Sequence, residues 1–151
     1  MKKRKPSAFA LSLLLAASAC QEQPLPPIDT TARDFLALAT QAESPLEEAL
    51  VEFNTASALR DSKACRAAAR RALEAALSAR DQIEKHAVPE ALVAARREEL
   101  TYLNHVVVGC QAFLAGDASS GEINKVRSII VRGRSHQSLG RAALQEAEAG
   151  R

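Results

Sequence analysis

SKACRAAARRALEAALSARDQIEKH (residues 62–86) and EALVAARREELTYLNHVVVGCQAFLAG (residues 90–116) decide the fold. The first is alanine-rich and a strong helix former, with Ala69, Leu73, Ala76 and Ile83 on one stripe. Its opposite side pairs Arg80 with Glu84 and Asp81 with Lys85 at i,i+4 spacing. The second places Leu100, Leu103, Val107, Cys110 and Leu114 in a heptad-like seam, and Gly116 suits a C-cap. Pro89 stops the one helix and fits the first turn of the next. Two long helices joined by so short a turn form an antiparallel hairpin.

Working outward, IDTTARDFLALATQAE (28–43) offers Thr30 or Thr31 as an N-cap, with Phe35, Leu36 and Leu38 as apolar contacts. Ser44-Pro45 reads as a restart: Ser at the N-cap, Pro at N1, and Glu47 and Glu48 where the helix dipole favours acids. Leu46, Leu50 and Phe53 mark the buried face of that helix. Near Arg60-Asp61-Ser62 the apolar stripe slips by about one position, which predicts a bend or short break. A continuous helix from Pro45 to His86 is the alternative.

The last segment, DASSGEINKVRSIIVRGRSHQSLGRAALQEAEAG (117–150), starts a helix after Ser119 or Ser120. Ile123, Val126, Ile130, Gly133, Gln137, Gly140 and Leu144 hold a/d spacing along it. Its two interior glycines would each cost up to about 1 kcal/mol relative to alanine. Close packing against a neighbouring helix is the expected compensation. No stretch alternates apolar and polar residues long enough for a sheet. The expected fold is all-α, an antiparallel bundle of four or five helices over residues 29–151.

Composition agrees. The 151 residues are 47% apolar and 25% charged, which suits one domain. Aromatic residues make up only 3%, so the core must be aliphatic, with alanines letting helices approach closely. The formal charge is +2, but Lys2, Lys3, Arg4 and Lys5 open the chain with no acid before residue 20. Without them 16 basic residues face 18 acidic ones, about −2, and a nucleic acid partner is not expected.

The chain opens MKKRKPSAFALSLLLAASACQEQ. KKRK is a basic n-region and AFALSLLLAA an apolar h-region of about 15 Å as a helix, half a bilayer core. Residues 1–19 therefore read as a secretory signal peptide. Ala17-Ser18-Ala19-Cys20 resembles a bacterial lipobox, departing at Ala17 where that family favours Leu. The resemblance implies diacylglycerol on the sulfur of Cys20, which becomes the mature N-terminus. Ala17-Ser18-Ala19 also satisfies ordinary signal peptidase, and both readings cut the same bond. Pro24, Pro26 and Pro27 stiffen residues 20–28 into an extended tether of about 25 Å. By resemblance to proteobacterial lipoproteins, Gln21 implies the periplasmic face of the outer membrane. Inner-membrane anchoring and a soluble periplasmic form are the alternatives.

With Cys20 taken by lipid, Cys65 and Cys110 remain in an oxidising compartment. They lie 23 positions before and 22 after Val88, so an antiparallel hairpin puts both about 34 Å from its turn. A Cys65–Cys110 disulfide is expected, worth about 4 kcal/mol in the chain-entropy model. Two separate buried thiols are the alternative.

Signatures of chemistry are missing. His86, His105 and His136 are dispersed and expected in solvent; E-x-x-H, H-E-x-x-H, C-x-x-C and glycine-rich phosphate loops do not occur. Met1 is the sole methionine, excluding His/Met haem ligation. Glu47/Glu48 and Glu98/Glu99 are neighbours, about 100° apart on a helix, and make a poor acid/base pair. No enzymatic activity, metal or cofactor is expected.

One asymmetry remains. Lys125, Arg127, Arg132, Arg134 and Arg141 occupy a run without acids, and Arg127, Arg134 and Arg141 recur every seven residues. They form a candidate binding face for lipid phosphates, anionic glycan or an acidic protein surface. The competing reading is a solvated face completed by acids of adjacent helices. The expected function is a lipid-anchored, non-catalytic adaptor or assembly factor with an envelope protein as partner. A module for lipid, lipopolysaccharide or peptidoglycan is the alternative.

Overall fold

The computed structural model describes residues 30–149. The leader, Cys20 and the tether at 20–28 lie outside the described residues. Four α-helices follow one another: α1 (Ala32–Ala58), α2 (Ser62–Lys85), α3 (Val93–Ala115) and α4 (Ser120–Ala149). A 3-10 turn, Glu90–Leu92, leads into α3. Among the described residues there is no strand. Each helix packs antiparallel to the one before it, and α4 returns to close against α1, the thinnest of the four contacts.

Local chemistry sets the helix ends. Thr31 caps α1 with a capping box: its hydroxyl accepts from the Asp34 amide while the Asp34 carboxylate accepts from the Thr31 amide. The Ser119 hydroxyl accepts from the Glu122 amide at the start of α4. Between α1 and α2 the chain turns in three residues. The Asp61 amide donates to the Ala56 carbonyl and the Arg60 amide to that of Ser57, a Schellman closure. Asp61 also opens α2, its carboxylate accepting from the Ala64 amide at 2.9 Å. This turn decides between the two expectations for residues 45–86: the break is real, and no helix runs through to His86.

The closure puts Arg60 at φ 58°, the left-handed position that glycine usually fills. Arg60→Gly should therefore stabilise the protein, by about 1 kcal/mol. A rise in the denaturant midpoint at unchanged m-value would check this.

The restart expected at Ser44-Pro45 does not occur; α1 continues through Pro45. Pro45 removes one helical hydrogen bond, that to the Gln41 carbonyl. Both residues are exposed, so the freed carbonyl side faces water. The buried stripe runs unbroken through Ala39, Ala42, Leu46, Leu50 and Phe53, and its packing holds both halves in one helix.

The core is aliphatic, as composition requires. Phe35, Leu46, Ile83, Leu103, Phe113 and Leu144 are fully buried, and Phe53 meets Phe113 edge to face at 5.2 Å. On α2 the buried residues are nearly all alanine: Ala68, Ala69, Ala72, Ala76 and Ala79. The glycines of α4 do face α3. A Cβ on Gly133 would stand 2.9 Å from His105 Cβ and 3.3 Å from the Tyr102 carbonyl oxygen. One on Gly140 would stand 3.1 Å from the Ala95 carbonyl oxygen.

The expected Cys65–Cys110 disulfide is not formed. Both residues are buried free thiols and are not at bonding distance. Sharing a level along a hairpin does not suffice. Helix axes sit about 8–10 Å apart, and a disulfide needs Cα atoms within about 7 Å with Cβ bonds turned toward each other. Burial pushes the Cys110 thiol up to about 11, and burial followed by the charge of Asp61 raises Cys65. Both sulfurs are thus held protonated and unreactive.

Candidate functional site

Three apolar stripes each contain one polar residue: Glu43 on α1, Glu99 on α3 and Gln137 on α4. Their exposures are 1%, 0% and 7%, and they meet where α4 lies across α1 and α3. Gln137 Nε2 donates to Glu43 Oε2 at 2.7 Å, and Arg141 donates to the same oxygen at 3.2 Å. Arg141 Nε stands 3.8 Å from Glu99 Oε1. Next along the seam, Glu47 accepts from the Tyr102 hydroxyl at 2.8 Å and from Arg134 at 2.5 Å.

The charges within this knot do not balance. Glu43 and Glu99 adjoin, and a single cation, Arg141, reaches both. Burial, then the neighbouring Glu43 charge, pushes Glu99 up to about 8; burial also raises Glu43. With both carboxyls ionised, Glu43 Oε1 and both Glu99 oxygens would have no donor. A proton on Glu99, donated to Glu43, satisfies Glu43 Oε1 and turns one Glu99 oxygen into a donor, so the pair shares one proton at neutral pH. The arrangement is a proton-sharing acid pair closed off from solvent, which joins three helices.

A second cluster lies beside it. His105 and His136 stack with ring centroids 5.3 Å apart. His136 Nδ1 donates to Glu98 Oε2 at 2.7 Å, and His105 Nδ1 to the Thr101 carbonyl at 2.8 Å. The expectation of dispersed, solvated histidines is corrected: these two converge and are half-buried, and His86, also half-buried, is the C-cap of α2. Among the described residues no three His, Cys, Asp or Glu side chains are grouped to hold a metal.

The five cations of α4 do not form one free face. Arg134 and Arg141 bind acids of α1 and α3, and Lys125 pairs with Glu122 at 2.7 Å. Arg127 is half-buried at the end of the bundle, near Cys65, and Arg132 is exposed. Adjacent helices thus supply acids for Arg134 and Arg141, and α4 itself supplies the one for Lys125.

A long recess lies on the other side, along the seam of α1 and α2. Its two hollows, of 620 and 390 Å³, adjoin at Glu52 and Arg71, which form an ion pair. The first is rimmed by Glu48 and Glu74; the second is apolar, lined by Val51, Ala56, Leu59 and Ala68.

The chain matches no family model, no characterised protein and no solved structure to which it was compared.

Proposed function

We propose that this chain is a non-catalytic, membrane-tethered adaptor of the bacterial cell envelope, which docks an envelope protein on the outer side of its α1–α2 pair. One observation carries the docking part: a long, open recess whose apolar half exposes Val51 and Leu59 at 64% and 75%. Side chains of that size are left in water at a cost, and their alignment along one seam suits a protein surface. Among the described residues no helix is long and apolar enough to cross a membrane. Attachment through lipid on Cys20 and the Pro-rich tether is what the reading supplies instead. Since Cys65 and Cys110 are unpaired, the envelope location rests on the N-terminal residues alone.

Three of the five α4 cations are in ion pairs, which weakens that face for lipid, glycan and acidic protein alike and moves the docking surface to the α1–α2 recess.

Crosslinking in intact cells, followed by purification from membranes and mass spectrometry, tests the proposal. The expected N-terminal peptide begins at diacylglyceryl-Cys20, and one envelope protein dominates the crosslinked material. A retained Met1 overturns the tether, and capture of lipid or glycan in place of protein overturns the adaptor.

A further inference from the structure

The chemistry of the α1–α2 recess also specifies its occupant, an inference that rests on the adaptor reading. We infer that this recess takes an amphipathic helix of the partner protein, with a stripe of small or apolar side chains and lysines or arginines on its flanks.

The floor comes first. Ala42, Ala49 and Ala56 repeat every seven residues along α1, and Ala68 and Ala75 answer them from α2. Side chains of one carbon keep the floor low, so another backbone can approach closely. Two antiparallel helices with an open seam present the groove that a third helix fills at the ordinary crossing angle of about 20°. From Gln41 to Leu59 the recess follows about 27 Å of α1, five helical turns. All of its walls are helical, so no sheet edge exists there for an extended peptide to join.

Charge selects the flanks. Glu48, Glu52 and Glu74 stand along the rim, against the single cation Arg71. Arg71 is already committed to Glu52, and both side chains of that pair are about half exposed. Such a pair is worth at most about 1 kcal/mol, so a partner cation displaces Arg71 from Glu52 at little cost. Cations elsewhere on the occupant meet Glu48 and Glu74, whereas an acidic helix meets repulsion along the whole first hollow. At the other end the rim gives way to Val51 and Leu59, which receive the apolar stripe. The occupant is therefore polarised: basic flanks beside Glu48 and Glu74, larger apolar side chains toward the α1–α2 turn.

The test uses the full chain in cells, with a photo-crosslinking benzoylphenylalanine placed singly at Val51, Leu59, Val131 or Leu139. All four are exposed, the last two on α4. Capture from 51 and 59 is expected, on one continuous partner segment of helical periodicity with lysine or arginine flanking its apolar stripe. Glu48→Lys with Glu74→Lys should reduce that capture at least tenfold while the circular dichroism spectrum is unchanged. Capture from 131 and 139 alone overturns the groove and the α1–α2 docking side, and leaves standing only an adaptor that docks through α4. A captured segment that is acidic, non-helical or derived from this chain itself overturns the groove, as does capture indifferent to the charge reversal. Capture from none of the four positions overturns the adaptor as well.

Discussion

Replacing Glu99 with Gln should flatten a steep loss of stability toward alkaline pH. In the unfolded chain Glu99 titrates near 4.3; in the fold it is pushed up to about 8, first by burial and then by Glu43. A raised folded value means that stability is fully present below the unfolded value and is lost as pH rises through the folded one. Taken alone, the shift corresponds to on the order of 5 kcal/mol. That is a large part of the 5–15 kcal/mol typical of a domain.

Every neighbouring helix contributes to the balance. Glu43 and Glu47 face the pair from α1, Glu98 and Tyr102 flank it on α3, and Arg134, His136 and Arg141 come from α4. Glu98 acts in the opposite sense: its hydrogen bond from His136 lowers it, and its contribution is lost toward acid. Thermal melts from pH 5 to 9 should fall by about 10–20 °C in the native protein. Glu99→Gln should change much less over that range and be the more stable protein at pH 9. Parallel curves for the two proteins would show that the acid pair is not what titrates.

A wedge at Gly133 should have a comparable effect. Its missing Cβ is what lets α4 lie against Tyr102 and His105, and the nearest atoms are close to or part of the α3 backbone. Gly133→Ala gains about 1 kcal/mol of helix propensity but must push two helices apart. Gly133→Val adds two methyl groups to the same contact and should cost about 3 kcal/mol, near the upper end for overpacking. Shifted denaturant midpoints for the series Gly, Ala, Val at 133 would check this. An Ala variant more stable than the native protein would mean that α3 and α4 yield easily. The same series at solvent-exposed Ser135 should follow helix propensity alone, with Ala the most stable and all three within about 1 kcal/mol.

Much of this fold was legible because it is written in short-range pattern. The helices at 62–85 and 93–115, the Thr31 cap and the α4 seam from Val126 to Leu144 follow from periodicity and capping chemistry alone. Two local signals misled in opposite directions. Ser44-Pro45 has the chemistry of a helix start, yet Pro45 lies on the wet side of a stripe that tertiary packing keeps continuous. Arg60 occupies a position where glycine would have announced a turn, so the slipped stripe left a bend, a short break and a continuous helix all open, and the structure shows the break.

Contacts between helices were harder to see. Level along a hairpin is a matter of counting, but the separation of two side chains across it is not, and the expected cysteine pair is not at bonding distance. Glu98 and Glu99 do point to different faces, as their adjacency dictates: Glu98 meets His136 and Glu99 enters the core. Intrahelical spacing could not show that Glu99 would meet Glu43. A signal was present all the same, since Gln137 stood in an a/d position and Glu43 and Glu99 each interrupt an apolar stripe. One polar residue misplaced on each of three helices is a reason to look for a common meeting point.

That meeting point also fixes the axial setting of the last helix. A slip of α4 by one helical turn, about 5.4 Å, would press a larger side chain against Tyr102 and His105 where Gly133 now sits. Such a slip would carry Gln137 and Arg141 away from Glu43 and leave two dehydrated carboxyls without donors. The acid knot thus acts as an indexing pin, reinforcing the single axial position that the two glycine contacts already select.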